Sequence, residues 1–211
     1  MKRPPVNFAK VHEYLLSVTP RRDATLSAME RYAAKHGFPI IGPLVGRFLF
    51  QMATLTKARS IFELGSGYGY SAYWFSRAMG KKGKIVLTEG NQENLDRAKS
   101  HFAKAGLKSK FSFHCGDARE IITDYRGPFD IVLNDIDKDQ YPGTIDLVAP
   151  RLRPGGLFIT DNTIWHGAVT YPQPDKLTRA IKEFNRRMYA DKRFFTTILP
   201  LRDGITVGLR L

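Results

Sequence analysis

Short apolar runs alternate with amphipathic stretches along most of the chain. Five runs have the length and composition of buried strands, at 60–64, 84–88, 111–114, 130–134 and 157–160. Helical periodicity falls between them, at about 71–79, 91–105, 118–123 and 142–151. This order predicts right-handed βαβ units, and therefore a mostly parallel sheet with helices on both faces.

The two ends of the chain depart from that alternation. Residues 1–58 have the periodicity of three helices, the first over 6–18, and should form a helical N-terminal extension. Near the other end, a helix over 175–190 precedes two apolar runs, 194–199 and 205–211, which flank a turn at 202–204. Two strands around such a turn predict a C-terminal hairpin that adds an antiparallel strand to the sheet. We expect one α/β domain over residues 1–211.

Composition places the chain among folded proteins but gives it a large positive charge. Hydrophobic residues make up 43% and charged residues 25%, which excludes wholesale disorder. With 33 Lys+Arg against 20 Asp+Glu, the formal net charge is +13. Such an excess favours an anionic partner, for example RNA, DNA, a membrane surface or a charged substrate, unless the surface is simply basic.

Three absences from the sequence bear on location. The one cysteine, Cys115, cannot form an intrachain disulfide, which suits a reducing compartment. The basic start of the chain lacks the apolar core of a secretory signal, and no apolar run approaches the ~20 residues that span a bilayer. We expect a soluble, cytoplasmic protein without a membrane partner.

A glycine-rich segment, 63–71 (ELGSGYGYS), follows the first strand and opens the next helix. Gly65 and Gly67 let the backbone turn sharply near a ligand, and the helix N-terminus offers free N–H groups. A dinucleotide fingerprint would place its third glycine at Tyr70, and Glu63 would repel a pyrophosphate. Both departures disfavour NAD and favour S-adenosylmethionine, whose carboxylate the N–H groups and the Ser71 hydroxyl can hold. A tight turn without a ligand is the plain alternative.

Two acids at the following strand ends extend this candidate cofactor site. Glu89 ends the second strand, where a carboxylate can bind both ribose hydroxyls of a nucleoside. Asp117 follows the third strand and can accept a hydrogen bond from an adenine amino group, with Ala118 beside it shaping the pocket. The same Asp117 can also cap the helix that begins at residue 118.

A second polar cluster follows the fourth and fifth strands. Asp135 and Asp161 are separated by one helix and one strand, so they should lie on neighbouring strands at one edge, with Asn162 beside them. This all-oxygen set suits Mg²⁺, Ca²⁺ or Mn²⁺, although acids at strand ends also cap helices or face solvent. Lys138, close after Asp135, can act as a general base beside a cation or be an ordinary surface lysine.

In combination these segments resemble the cation-dependent class I O-methyltransferases, the group that contains catechol and caffeoyl-CoA O-methyltransferases. The resemblance runs from about Pro39 to Leu211. The matching segments are 39–43 (PIIGP), 63–71, Glu89, 116–118 (GDA), 135–138 (DIDK), 161–167 (DNTIWHG) and 203–205 (DGI).

The resemblance implies a Rossmann-like, seven-stranded sheet and S-adenosylmethionine as the methyl donor. It implies a divalent cation, with Mg²⁺ as the first expectation, bound by Asp135, Asp161 and Asn162, and catalytic roles for Asp135 and Lys138, the latter as general base. It further implies a homodimer that methylates a hydroxyl of a catechol-like or hydroxycinnamoyl small molecule.

For the cofactor, the resemblance implies that Ile41 and Glu63 line the pocket and that Asp135 touches both metal and cofactor. Two positions depart from the animal catechol enzyme: Asp137 stands where that enzyme has a tryptophan against the ring, and Pro200 where it has a substrate-binding acid. The acceptor pocket is therefore expected to differ from the animal one.

Other functions compete with a small-molecule methyltransferase. A tRNA hydroxyuridine O-methyltransferase would use the same site together with a basic surface, for which the last helix and its flank offer Lys176, Arg179, Lys182, Arg186, Arg187, Lys192 and Arg193. Such a run is also typical of a solvated helix face. A non-catalytic basic binding module has no need of the metal set, and an oxidoreductase is disfavoured by Tyr70.

Overall fold

Seven strands form one sheet in the computed structural model, which describes residues 8–211. The strands are β1 (Ser60–Leu64), β2 (Lys84–Glu89), β3 (Lys110–Cys115), β4 (Phe129–Asn134), β5 (Leu152–Thr160), β6 (Phe194–Leu199) and β7 (Ile205–Arg210). Their order across the sheet is β3-β2-β1-β4-β5-β7-β6. β7 runs antiparallel to both of its neighbours, β5 and β6, whereas the pairs among β1 to β5 are parallel. The predicted α/β class and the C-terminal hairpin are confirmed.

Helices precede and separate the strands. They are α1 (Phe8–Val18), α2 (Ala24–His36), α3 (Gly42–Leu55), α4 (Tyr70–Met79), α5 (Gln92–Lys104), α6 (Ala118–Ile121), α7 (Tyr141–Val148) and α8 (Lys176–Ala190). Side chains cap several of them: Asp23, Asn91, Asp117 and Asp175 each accept a hydrogen bond from a backbone N–H of the first turn. Among residues 8–211, no helix is long and apolar enough to cross a membrane.

Apolar side chains on the two faces of the sheet form two cores. In β1, Ile61 packs into a cluster with side chains of α3, α4 and α5, such as Leu49 and Phe75. The next residue, Phe62, points to the other face and joins a cluster with α7 and α8 that includes Ile145 and Phe184. This alternation follows from the two-residue period of a strand, and it explains why consecutive residues of the central strands are mostly apolar.

Most predicted boundaries lie within one or two residues of the observed ones, and β1 and β6 coincide with them. The prediction for β5 was too short, because the strand begins at Leu152 and continues through Pro154 and two glycines. Its register against β4 shifts between Phe129 and Ile131, so the proline and glycines sit in an irregular stretch of the ladder. The first two residues of the predicted first helix, 6 and 7, lie outside the described residues.

Candidate active site

A cleft of about 1090 Å³ opens at the carboxyl ends of the central strands. Strand order reverses between β1 and β4, the place where open α/β sheets bind their ligands. The structure brings together every predicted site residue except Glu63 around this cleft, namely Ile41, Gly65, Gly67, Ser71, Glu89, Asp117, Ala118, Asp135, Lys138, Asp161 and Asn162.

The glycine loop between β1 and α4 forms one wall of the cleft. Gly65 has a φ of +77°, and a Cβ built there would lie 2.6 Å from the Asp135 carbonyl oxygen. No other residue fits at this position without moving the end of β4. The loop thereby packs tightly against the start of the carboxylate cluster, and the N-terminus of α4 faces the cleft through Tyr70 and Ser71.

Glu89 is held beside this loop by several hydrogen bonds. Its Oε2 accepts from the Gly67 N–H at 3.0 Å, and its Oε1 accepts from the Asn91 N–H and the Asn94 side-chain amide, both at 3.1 Å. These contacts fix the carboxylate at the end of β2. A nucleoside ribose can reach it there, because a carboxylate has further lone pairs to accept hydrogen bonds.

Asp117 caps α6, as the structural alternative predicted, and it also lines the cleft. Its Oδ1 accepts from the Arg119 N–H at 2.8 Å, and its Oδ2 pairs with the Arg119 guanidinium at 2.6 Å. The side-chain hydrogen bond from Arg119 holds the pKa of Asp117 below its usual range. The two interpretations are compatible, because a cap uses only part of the carboxylate's accepting capacity.

Glu63 lies fully buried at the end of β1, immediately before the glycine loop, and it does not line the cleft surface. Neither of its carboxyl oxygens has a hydrogen-bond partner among the described residues. Burial raises the pKa of Glu63 to about 8, an effect that the nearby Ser71 hydroxyl reduces and the charge of Asp135 increases. A buried acid without a partner, next to a ligand cleft, fits the positively charged amino group of S-adenosylmethionine.

Asp135 and Asp161 follow two strands that run side by side. Asn134 and Thr160 are register partners at the ends of β4 and β5, and the Asp161 N–H donates to the Asn134 carbonyl oxygen at 3.1 Å. The next residue of each strand end therefore lies at the same edge of the sheet. Adjacent strands are about 4.8 Å apart, so one ion can reach both carboxylates.

The donor atoms in this cluster fit a hard divalent cation. Asp161 is buried, and its Oδ1 has no hydrogen-bond partner within residues 8–211. Burial raises the pKa of both Asp135 and Asp161, and the charge of Asp135 raises that of Asp161 further. No group of three His, Cys, Asp or Glu side chains in the described part of the chain forms a metal site. The donors available here are therefore the carboxylates of Asp135 and Asp161, with the amide oxygen of Asn162 beside them at the cleft.

Asn162 is oriented by a residue to which the sequence assigned no role. Its Nδ2 donates to Asp203 Oδ2 at 3.2 Å, which leaves the amide oxygen as the free acceptor. Asp203 Oδ1 also accepts a hydrogen bond from the His166 N–H. Asp203 is buried, and it lies in the turn between β6 and β7, so the hairpin supports the loop after β5.

Backbone strain is concentrated in the same two loops. Asn162, Trp165 and His166 have φ values of +57°, +50° and +52°, and Arg202 has +53°. The loops are joined by hydrogen bonds from the Thr163 N–H to the Gly204 carbonyl oxygen at 3.0 Å and from the Ile164 N–H to the Asp203 carbonyl oxygen at 2.9 Å. Left-handed backbone at non-glycine residues is unfavourable and collects at functional sites.

Lys138 reaches the candidate metal ligands. Its Nζ lies 2.9 Å from Asp135 Oδ1 and 3.2 Å from the Ile136 carbonyl oxygen, and it stands 5.0 Å from the centre of the Tyr141 ring. The lysine is therefore held against the cluster and is not a freely solvated side chain. The Tyr141 hydroxyl supports the cluster from below by donating to the Asp161 carbonyl oxygen at 2.9 Å.

Sequence reasoning assigned no site role to several residues that line the cleft. Leu177, on α8, is exposed and lines the cleft. Trp165, His166 and Arg202 line it as well. The segment 161–167, which contains Trp165 and His166, was the available signal for those two residues, whereas the sequence assigned Arg202 only to a turn.

Comparison with known proteins decides the family. Residues 17–211 match the family model described as O-methyltransferase. The chain belongs to this O-methyltransferase family. Among curated relatives it is 30% identical to caffeoyl-CoA O-methyltransferase 2 of Populus trichocarpa, covering 95% of this chain and 88% of the relative. Caffeoyl-CoA O-methyltransferase 1 of Arabidopsis thaliana is also 30% identical, with 95% and 84% covered.

Solved structures of O-methyltransferases have the same fold. One of them is the O-methyltransferase TomG from Streptomyces achromogenes, which is involved in tomaymycin synthesis and was solved with S-adenosylmethionine. It matches with a TM-score of 0.85 at 28% identity, covering 95% of this chain and 96% of TomG. The O-methyltransferase from Bacillus cereus, solved with S-adenosylhomocysteine, gives a TM-score of 0.85 at 26% identity, covering 96% and 97%. The chain is an S-adenosylmethionine-dependent class I O-methyltransferase, which confirms the predicted enzyme class and methyl donor.

Proposed function

We propose that this O-methyltransferase depends on a divalent cation and methylates a hydroxyl of a catechol-like or hydroxycinnamoyl small molecule. One observation carries the proposal: a buried, unpartnered carboxylate oxygen of Asp161 lies beside Asp135 and Asn162 at the cleft. The oxygen-only donor set suits Mg²⁺, with Ca²⁺ or Mn²⁺ as alternatives. Relatives named caffeoyl-CoA O-methyltransferases support the acceptor class.

Each group of residues has a separate part in the proposed reaction. The glycine loop, Ser71 and Glu89 hold the donor, and Asp117 and Ala118 form the end of its pocket. Asp135, Asp161 and Asn162 would hold the cation, which supplies positive charge that favours the ionised form of an acceptor hydroxyl.

Lys138 moves the proton in this proposal. As the neutral amine, Lys138 takes the hydroxyl proton at Nζ and becomes the ammonium ion that pairs with Asp135, whose Oδ1 lies 2.9 Å away. The acceptor oxygen then forms a bond to the methyl carbon as the bond from that carbon to sulfur breaks. Most of the acceleration comes from holding the two reactants in line in one cleft.

A two-pool assay tests the acceptor class. Labelled methyl transfer from S-adenosylmethionine is measured with a catechol and hydroxycinnamoyl panel and, separately, with bulk tRNA. The proposal expects label in the small molecules in the presence of Mg²⁺. Label in tRNA alone would replace it with the hydroxyuridine alternative.

The net charge of +13 overstates the support for the tRNA alternative, because several basic residues of α8 and its flank are paired with acids. On α8, Arg186 pairs with Glu183 at 2.7 Å, and Lys176 pairs with Asp139 at 3.3 Å. Arg187 and Arg193, at the end of this helix and after it, share Asp146 at 2.8 and 2.7 Å. RNA phosphates would have to compete with these acids, so we favour the small-molecule acceptor.

We also propose the homodimer that the family resemblance implies. Phe195 and Leu209 are register partners on β6 and β7, and their side chains are 67% and 38% exposed. An exposed apolar pair on an edge strand, β6, and its neighbour, β7, suits contact with a second copy of the chain. Light scattering should give a dimer for the wild type and a monomer for Phe195→Asp; a monomeric wild type would contradict this assignment.

A further inference from the structure

The Arg202 side chain enters the candidate active site from the turn between β6 and β7. Its Nη1 lies 3.4 Å from Asp161 Oδ2, and the side chain lines the cleft with about a third of its surface exposed. It lies close to Gly42, at the start of α3, since a Cβ built there would be 3.9 Å from Arg202 Nε. The guanidinium thus lies between a helix N-terminus and a carboxylate of the cation cluster.

This placement is unfavourable for the protein alone in two ways. Arg202 has a left-handed backbone, φ +53°, which glycine or asparagine would adopt more easily. A cation at the N-terminus of a 14-residue helix, here α3, also opposes the helix dipole. Pairing with Asp161 compensates in part, but an arginine that is needed only for that pairing has no reason to be exposed in the ligand cleft.

The guanidinium has donors left over for a ligand. Arginine has five N–H donors in a planar fork, and the contact with Asp161 involves Nη1. A carboxylate is the group that matches such a fork best, through two parallel hydrogen bonds. Because Arg202 touches Asp161, a carboxylate bound to it must lie next to the acceptor oxygens that the cluster receives. Ile40, Trp165 and Leu177 line the same cleft and offer apolar surface to an aromatic ring.

We propose that Arg202 is a specificity-determining residue that binds a carboxylate of the acceptor. The acceptor class is a vicinal dihydroxy aromatic acid whose carboxylate is ortho to one of the two hydroxyls. The inference rests on the proposed function and narrows its substrate class. The proposed acceptor differs from a thioester acceptor such as caffeoyl-CoA, because the thioester has no free carboxylate beside its hydroxyls.

Three small probes test the charge and its position independently. They are 2,3-dihydroxybenzoate, with the carboxylate ortho to a hydroxyl; 3,4-dihydroxybenzoate, with the same charge elsewhere on the ring; and catechol, without it. The full-length wild type should methylate the 2,3-isomer with a kcat/KM about 10-fold or more above the other two, the scale of one charge-assisted interaction. Arg202→Gln should reduce this value by a factor that is about 10-fold or more greater than the factor by which it changes the kcat/KM for catechol. Arg202→Lys should retain part of the preference, because it keeps the charge but not the fork.

Matched controls separate recognition from a structural role. Arg186→Gln removes an exposed arginine of α8 and should leave all three rates unchanged. Calorimetric binding of the 2,3-isomer, with S-adenosylhomocysteine and Mg²⁺ present, should weaken about 10-fold or more in Arg202→Gln. This binding measurement does not depend on turnover. If Arg202→Gln fails to fold, the same measurement is made on Arg202→Lys.

The outcomes distinguish this inference from the proposed function. Turnover of all three probes at similar kcat/KM by the wild type would overturn the role of Arg202 and leave the function intact. If Arg202→Gln reduced kcat/KM by the same factor for catechol and for both acids, the proposed role of Arg202 would also be overturned. The arginine would then only support Asp161. No methyl transfer to any probe, or to the hydroxycinnamoyl panel, would defeat the proposed function itself. Equal calorimetric binding of the 2,3-isomer by the wild type and Arg202→Gln would then defeat the inference as well.

Discussion

The Asp203 carboxylate holds the side-chain amide of Asn162 at 3.2 Å, across 41 positions of sequence. Asp203 belongs to the turn between the last two strands, whereas Asn162 follows β5. The antiparallel hairpin therefore does more than extend the sheet, because it sets the direction of a candidate metal ligand. Partners of this kind typically change metal affinity or activity by about 10–100-fold when they are removed.

Asp203→Ala should accordingly weaken Mg²⁺ or Mn²⁺ binding by about 10–100-fold. The physical reason is that Asn162 loses the acceptor that holds its Nδ2, so the amide can rotate. Manganese binding followed by electron paramagnetic resonance measures the effect without turnover. S-adenosylhomocysteine affinity should stay unchanged, because Asp203 does not contact the glycine loop, and Asp203→Asn should recover part of the metal affinity. Unaltered manganese binding in the alanine variant would remove Asp203 from this role.

Glu63 should make the stability of the ligand-free protein depend on pH. Its pKa is raised from 4.5 to about 8, so the folded state holds the proton more tightly than the unfolded state. The contribution to stability is therefore present below about pH 4.5 and is lost as pH rises through about 8. Glu63→Gln cannot ionise, and its stability relative to the wild type should rise by about 3–5 kcal/mol between pH 5 and pH 9.

Thermal melts of both proteins at pH 5 and pH 9 measure this difference. If the difference in melting temperature between wild type and Glu63→Gln were the same at pH 5 and pH 9, Glu63 would not be a buried acid with a raised pKa. The same variant should bind S-adenosylmethionine more weakly, because the proposed partner of its amino group has lost its charge.

Glu89→Ala should weaken S-adenosylmethionine binding by about 1–3 kcal/mol, the range of hydrogen bonds to a charged group. The carboxylate also accepts from the Gly67 N–H, so part of the loss comes from a less ordered glycine loop. Calorimetry measures the affinity. Glu93→Ala is the matched control, because this acid lies in the first turn of α5 and is largely exposed. Equal affinities for wild type and Glu89→Ala would place the nucleoside elsewhere.

The double variant Asp161→Ala with Asn162→Ala separates metal binding from cofactor binding. It removes two of the three proposed ligands but leaves Asp135 and the glycine loop. Methyl transfer should be lost, while S-adenosylmethionine binding stays within about 3-fold of the wild type. Calorimetry and a labelled-transfer assay on the same preparation supply both values, and a large loss of cofactor affinity would refute this separation.

The sequence predicts those parts of the site that depend on local pattern and strand order. Asp135 and Asp161 could be placed on neighbouring strands because each follows a buried apolar run and one crossover separates them. Gly65 could be assigned to a tight loop because its position between a strand and a helix requires it. In each case the information lies within a few residues of the position.

Other parts of the site depend on contacts between distant segments. Asp203 reaches Asn162 and His166 only because β7 pairs with β5, and no periodicity encodes that contact. The position of Arg202 depends on the same loop packing. Burial likewise decides the state of Glu63, which in the sequence is only an acid before a glycine. Contacts between loops and the exposure of single acids therefore required the structure.

The most direct test of the cation site is an assay of methyl transfer to a catechol acceptor by metal-stripped protein. Turnover is measured in excess EDTA and again after Mg²⁺ is added back. Asp135, Asp161 and Asn162 are proposed to hold a cation that the reaction needs. The account therefore predicts loss of turnover in EDTA and recovery with Mg²⁺ for the wild type, but no recovery for the Asp161→Ala, Asn162→Ala double variant. Turnover that is unchanged in excess EDTA would contradict it.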